Sequence, residues 1–268
     1  MGTARTAIKI TSAAFDSVRR PAAGLVVLIY HRVGRRTAVE VDLPTSLFAE
    51  QMAYLAAEAD VVTLSEGIGR LAGGAAPTPM VAVTFDDGTA DFAEVAVPVL
   101  VEHGVPVTLY VATEFVDDGH AFPDDGVPVS WSALRDAVST GLVAVGSHTH
   151  SHALLDRLPA EQVGAELDRS VDLIGSQLDV RAAHFAYPKA VMGSTAADAA
   201  VRARFDSAAV AGTHVNRYRA TDPYRLARSP IQVSDGMRWF ERKVAGGMRF
   251  EDDVRRLVNR KRYAATTT

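Results

Sequence analysis

Short apolar, β-branched runs punctuate the chain at Leu25–Tyr30, Val61–Leu64, Met80–Phe85, Val105–Val111 and Val143–Gly146. Weaker runs follow at His184–Tyr187, Ser207–Val210 and Ile231–Val233. Each has strand length and polar or turn-forming flanks. Between them the apolar residues recur at helical spacing. Leu47, Met52, Leu55 and Ala56 make one face, Phe92, Val95, Val99 and Leu100 another, and Leu134, Val138 and Leu142 a third. Ser65–Leu71 predicts a short helix. The segment 159–178 opens on Pro159, is acidic in its first turn, and carries Val163, Leu167, Val171, Ile174 and Leu178. That pattern predicts a long amphipathic helix.

Strands that alternate with helices pair in parallel through crossover connections. About seven or eight such units fit an α/β fold of the (β/α) barrel kind better than two separate domains. One domain is therefore expected over 1–268, with its core at 24–247 and a frayed tail at 259–268. The stretch Gly73–Pro79 reads as a loop, because the alternation resumes after it. Asp117–Pro128, rich in Gly, Asp and Pro, reads as a loop that rims a site.

Residues 1–20 predict an N-terminal helix or arm. Ala4, Ala7, Ile8, Phe15 and Val18 fall at roughly helical spacing, beside basic Arg5, Lys9, Arg19 and Arg20. Such a helix either caps the domain or lies on a membrane surface, and capping is the expectation. No apolar stretch approaches the roughly 18 residues of a membrane span. The run Gly24–Tyr30 is a strand rather than a signal-peptide core, and no small-residue cleavage site follows it. The chain is expected to be unprocessed and cytoplasmic, with peripheral membrane contact as the alternative.

Composition narrows the chemistry. The chain has 268 residues, 48% apolar and 22% charged, which excludes a disordered chain or a membrane bundle. A net charge of −4 argues against nucleic acid as a partner. There are no cysteines, so a disulfide scaffold and a thiolate nucleophile are excluded. Any metal must be held by histidine and carboxylate.

Two constellations carry candidate chemistry. Thr84-Phe85-Asp86-Asp87-Gly88 ends the run Met80–Phe85. Adjacent carboxylates repel unless a cation or a hydrogen-bond network offsets them. A turn at Gly88 brings both to the barrel mouth, although an Asp-Gly turn capping a helix uses the same residues. His148-Thr149-His150-Ser151-His152 holds three of the eight histidines and follows the strand Val143–Gly146. The spacing of His148 and His152 lets two imidazoles meet one metal, with His150 turned elsewhere or toward substrate. Asp87, His148 and His152 together offer three protein ligands and an open position, the pattern of a catalytic metal. Asp86 is then left as general base for a water. Zinc is the default ion for this donor set, and cobalt, nickel and manganese also fit.

These motifs, in this order, resemble the polysaccharide deacetylase (NodB-homology) family. The likeness runs from Tyr30-His31-Arg32-Val33 to about Val233. It includes Trp131-Ser132-Ala133-Leu134 and Phe185-Ala186-Tyr187-Pro188. It implies a distorted (β/α) barrel that removes N-acetyl groups from amino sugars with a divalent ion, and hence a carbohydrate substrate. It also implies Asp86 as the base and Asp87, His148 and His152 as ligands. The early Tyr-His motif is most similar to the poly-N-acetylglucosamine branch, where such a histidine is the general acid. No histidine follows His214, so His31 is the candidate acid here. The resemblance further implies an oxyanion contact from the N–H of Lys189, with Tyr187 beside it at the substrate. Where many members carry an Arg that pairs with the catalytic Asp, this chain has Ala186. Arg228 is the candidate replacement. Two rival readings share the residues. One is a deacetylase or deformylase of a lipid-linked or small amino sugar. The other is a catalytically idle carbohydrate-binding barrel.

The remaining signals point to structure. His103 and His120 are expected to be solvated and His184 to be structural. Trp239 and Phe240 fit a late helix that covers the barrel or lines a sugar site. Gly67-Ile68-Gly69 lacks the rest of a phosphate-cradling loop.

Overall fold

The computed structural model describes residues 2–18, 23–74 and 78–254. Among them seven parallel strands close on themselves in sequence order: β1 (Gly24–Tyr30), β2 (Met80–Phe85), β3 (Val107–Val111), β4 (Val143–Ser147), β5 (His184–Ala186), β6 (Ser207–Ala211) and β7 (Leu226–Pro230). The closure is β1 against β7 on one side and β2 on the other. It is uneven. Six residue pairs join β1 to β2, whereas β4 and β5 meet only at Ser147 and Phe185. This is the distorted (β/α) barrel that the sequence implied.

Helices α1 (Gly2–Val18), α2 (Thr45–Glu58), α3 (Leu64–Ala72), α4 (Val97–His103), α5 (Thr113–Asp118), α6 (Trp131–Ser139), α7 (Ala160–Leu178), α8 (Thr195–Arg202) and α9 (Gly236–Val244) accompany the strands. Strands buried on both faces read as unbroken apolar runs, which is why β1 and β2 were legible. Alternate residues serve two cores. Val26, Leu28, Val81 and Val83 face the helices, while Leu25, Val27, Met80, Ala82, Ala186 and Ala209 belong to the inner cluster.

Three expected elements differ. The run Val61–Leu64 is divided: the strand is Asp60–Val61, and Thr63 leaves it to cap α3 by accepting the Glu66 N–H at 3.2 Å. The helical run from Phe92 begins as a π turn, Phe92–Ala96, before α4. Pro98 lies inside that run and cannot donate to a continuous α ladder. Ile231–Val233 is not a strand. The late strand is β7, one step earlier, and Val233–Asp235 turns as a short 3₁₀ helix. Arg228 and Pro230 disguise β7 in the sequence, because a charged residue breaks the apolar run.

Among its described side chains, helix α1 buries both polar and apolar ones. Lys9 and Ser12 are buried, and Ala13 packs with Trp239 and Met248. The Lys9 ammonium donates to Asp235, which also accepts from Lys243 at 2.7 Å. Lys9 is therefore held inside the protein rather than presented on a basic surface. Trp239 and Phe240 lie on α9 and cover the barrel, Phe240 edge-on to Tyr54 at 6.0 Å. The expected tail at 259–268, and Arg19 and Arg20, lie outside the described residues. No helix among the described residues is long and apolar enough to cross a membrane.

His184, at the start of β5, sits between Ser65 Oγ at 2.7 Å and Ser207 Oγ at 2.9 Å. Burial pushes its pKa down to about 4. The unfolded chain restores it to about 6.5. Between those values the unfolded chain binds the extra proton, so stability falls as pH drops through that window. The loss approaches roughly 3 kcal/mol at the acid end. His152 is lowered in the same direction. Urea unfolding at pH 7 and pH 5 should show a lower midpoint at pH 5, and a smaller drop in His184→Asn. An equal drop in the variant would remove His184 from the explanation.

Candidate active site

The C-terminal ends of β1, β2, β4, β5, β6 and β7 surround one cleft of about 1050 Å³. Asp86 and Asp87 follow β2. The strand ends at Phe85, and the turn begins one residue before the glycine. Asp87 takes φ +73° and Gly88 φ +99°, with the Gly88 N–H donating to Asp86 O at 3.0 Å. Only a residue without Cβ takes the Gly88 angle readily. The turn brings to one cleft two carboxylates that an extended chain would have put on opposite faces: Asp86 Oδ2 and Asp87 Oδ1 lie 3.9 and 3.7 Å from His148 Nε2.

His148 and His152 lie on the turn after β4, with ring centroids 4.9 Å apart. Their Nε2 atoms stand 3.7 and 3.5 Å from Asp87 Oδ1. One donor atom from each of Asp87, His148 and His152 lies within 4.8 Å of the others. His148 Nδ1 is 2.8 Å from the Ala186 carbonyl. A carbonyl only accepts, so Nδ1 carries a proton and Nε2 is the ring nitrogen that faces the cleft. Burial, with His148 adding to it, lowers the His152 pKa to about 4, so this imidazole is neutral at pH 7. These groups fit a divalent ion with an open coordination position. His152 and Thr149 have φ of +60° and +67°. Left-handed backbone at non-glycine residues costs of order 1–3 kcal/mol each and gathers at functional sites.

The loop is fixed from outside. Glu166 on α7 accepts from Ser151 N at 2.6 Å and Ser151 Oγ at 3.0 Å. His150 turns away from the cluster, its Nδ1 2.9 Å from Thr113 Oγ1 on α5.

Arg228 lies within β7, not before it. It points inward with Val27, its register partner on β1. Its guanidinium donates to both Asp86 oxygens, at 2.5 and 2.8 Å, and to Thr84 Oγ1 at 3.1 Å. It also lies over the Tyr110 ring, 4.9 Å from the centroid. Both ends of the pair are buried, Arg228 at 1% exposure. Burial raises the Asp86 carboxyl, but Arg228 and then His148 outweigh it and hold it at about 2. The residue is thus an anion at any working pH. Ala186 is in the same inner cluster as Tyr110 and supplies a carbonyl instead of a cation.

The other expected residues divide. His31 lines the cleft, and its buried Nδ1 has no partner among the described residues. Lys189 lines it too, in a turn where Lys189 and Ala190 take φ of +52° and +57°. Tyr187 does not reach the cleft. Its ring packs edge-on to Phe185 at 5.0 Å and its hydroxyl points to Asp198, because β5 ends in the core before the chain turns. Tyr110, Glu166 and the Ala186 carbonyl serve the site without any motif. A buried tyrosine and a backbone oxygen leave no trace in a single sequence.

No curated protein matches the sequence. Among solved structures, IcaB from Ammonifex degensii is 26% identical, with a TM-score of 0.71 over 82% of this chain and 98% of that one. The Streptococcus pyogenes deacetylase PplD, solved in complex with acetate, is 20% identical, with a TM-score of 0.74 over 83% and 99%. A de-N-acetylase from Aggregatibacter actinomycetemcomitans is 19% identical, with a TM-score of 0.67 over 82% and 99%. At such identity the last two are likenesses of fold. The sequence model for polysaccharide deacetylase matches residues 73–208, which span both the Asp86-Asp87 and the His148–His152 motifs. That match covers half of the chain, on a closed barrel that gathers those motifs in one cleft; the chain belongs to the polysaccharide deacetylase family and is a hydrolase of a non-peptide carbon–nitrogen amide bond.

Proposed function

We propose that the chain removes the N-acetyl group of an amino sugar in a glycan by metal-assisted hydrolysis, releasing acetate. The observation that supports this most is the joint placement of Asp87, His148 and His152 around one point, with Asp86 beside them and paired to Arg228. Asp87, His148 and His152 would hold a divalent ion, zinc by default. When bound, the ion polarises the acetyl carbonyl and acidifies the attacking water. Asp86 accepts the proton of that water. His148 Nε2 lies 3.9 Å from Asp86 Oδ2, so base and ligand share one corner of the cleft. The Lys189 N–H stabilises the oxyanion, and the left-handed turn orients it without help from the side chain. His31 protonates the departing amine. The residues from 24 to 247 act as one catalytic domain in this reading.

The test is acetate release from N-acetylated glycans, monosaccharide to oligomer, with zinc and then with chelator. Release should stop with chelator and return on adding zinc. Chelator-resistant release would overturn the metal assignment. Metal-loaded protein that binds sugar without releasing acetate would mark an idle barrel.

A further inference from the structure

A side chain next to His31 reaches the loop that rims the cleft. Arg32, next to His31, donates from its two terminal nitrogens to the carbonyls of Pro123 (2.6 Å) and Asp124 (2.8 Å). The loop closes on itself at that point through paired hydrogen bonds between Phe122 and Gly126. A Cβ on Gly126 would lie 2.0 Å from Arg32 Nη2, so the contact needs glycine there. The fork spends its donors on backbone carbonyls, which are fixed points of the loop. Phe122, beside the tied carbonyls, stacks on Phe115 of α5 with centroids 4.2 Å apart and planes 10° from parallel. Both rings line the cleft, and Phe115 remains partly open to it.

We infer that Arg32 is a positioning residue that holds this loop as a fixed wall, and that the Phe115–Phe122 pair on it is the subsite for the sugar unit adjoining the one deacetylated. The inference rests on the glycan reading above and adds to it a preference for chain length. The cleft, about 1050 Å³, is at the upper end of the roughly 300–1,000 Å³ that encloses a small ligand, so it has room beyond the reacting unit. The apolar C–H face of a sugar ring packs on an aromatic face, which offers large contact area at little entropic cost. A wall already fixed by Arg32 loses no further freedom when substrate binds.

Three variants test this: Arg32→Gln, Gly126→Ala and Phe115→Ala. The first readout is kcat/KM on a tetramer divided by that on the monosaccharide. Each variant should lower this ratio about tenfold through KM, the size of one aromatic contact. Arg32→Gln and Gly126→Ala cut the same contact and should not add in the double variant. An unchanged ratio in folded protein would overturn the subsite. A fall in kcat alike at every length would assign Arg32 to the chemistry beside His31 instead. A second readout needs no turnover. Amide exchange of residues 119–127 should be faster in Arg32→Gln, and calorimetry should show Phe115→Ala losing affinity for the tetramer. If the wild-type chain released no acetate, the glycan reaction would fail, while these two measurements would still decide the wall. Unaltered exchange would refute the role of Arg32, and unaltered affinity the role of Phe115.

Discussion

Asp86→Asn should lower turnover by a factor of roughly 10²–10⁴, the usual worth of a general base, while the protein still binds its metal. The separation follows from geometry. The proposed ligand set is Asp87, His148 and His152, and Asp86 touches it only through His148 Nε2 at 3.9 Å. The substitution also leaves the buried Arg228 charge facing a neutral amide. Losing one partner of a buried ion pair costs about 3–5 kcal/mol. Thermal unfolding should therefore shift down, and activity must be compared at a temperature where the variant is folded. Metal analysis together with single-turnover acetate release reads both effects. Normal turnover in a folded, metal-loaded variant would remove Asp86 from the role of base.

Arg228→Met should lower both stability and turnover. Arg228 bridges both Asp86 oxygens, bonds Thr84 and covers Tyr110. Methionine fills part of that volume but leaves Asp86 as an uncompensated anion in the barrel interior. The stability cost is again about 3–5 kcal/mol. Activity should fall as well, because burial alone favours the protonated carboxyl, which cannot take a proton from water. Arg228→Lys should fall between. A single ammonium keeps the charge but does not form the two-pronged bond that orients the carboxylate. Chemical denaturation and kcat for the wild-type, Lys and Met proteins should rank in that order. A methionine variant with wild-type stability and turnover would show that Asp86 is held by something other than this cation.

Much of the site was legible because its signals are local. Asp86-Asp87-Gly88 and His148–His152 each directly follow a buried strand, and parallel strands put such ends at one mouth of a barrel. Spacing and donor chemistry were then enough to propose Asp87, His148 and His152, which the structure gathers in one cluster. The resemblance supplied the candidate roles of His31 and Lys189, and the structure places both on the same cleft. It does not do so for Tyr187, since a residue one step past a strand end points into the core or the cleft according to how the next turn folds.

The sequence by itself determined the alternation of strands and helices, and hence the barrel, because continuous apolar runs and helical spacing depend only on which faces are buried. It also determined the two polar motifs and the absence of a thiol. Only the tertiary structure decided what steadies them. The partner of Asp86 comes from Arg228, far along the chain, where a lumen-facing charge hides the strand that carries it. The orientation of His148 comes from a backbone carbonyl at Ala186. Lys9 on α1 is buried because it meets Asp235 from the other end of the chain. The resemblance had offered Arg228 as a candidate; the other two are pairings between distant residues that leave no periodicity and no motif in a single sequence.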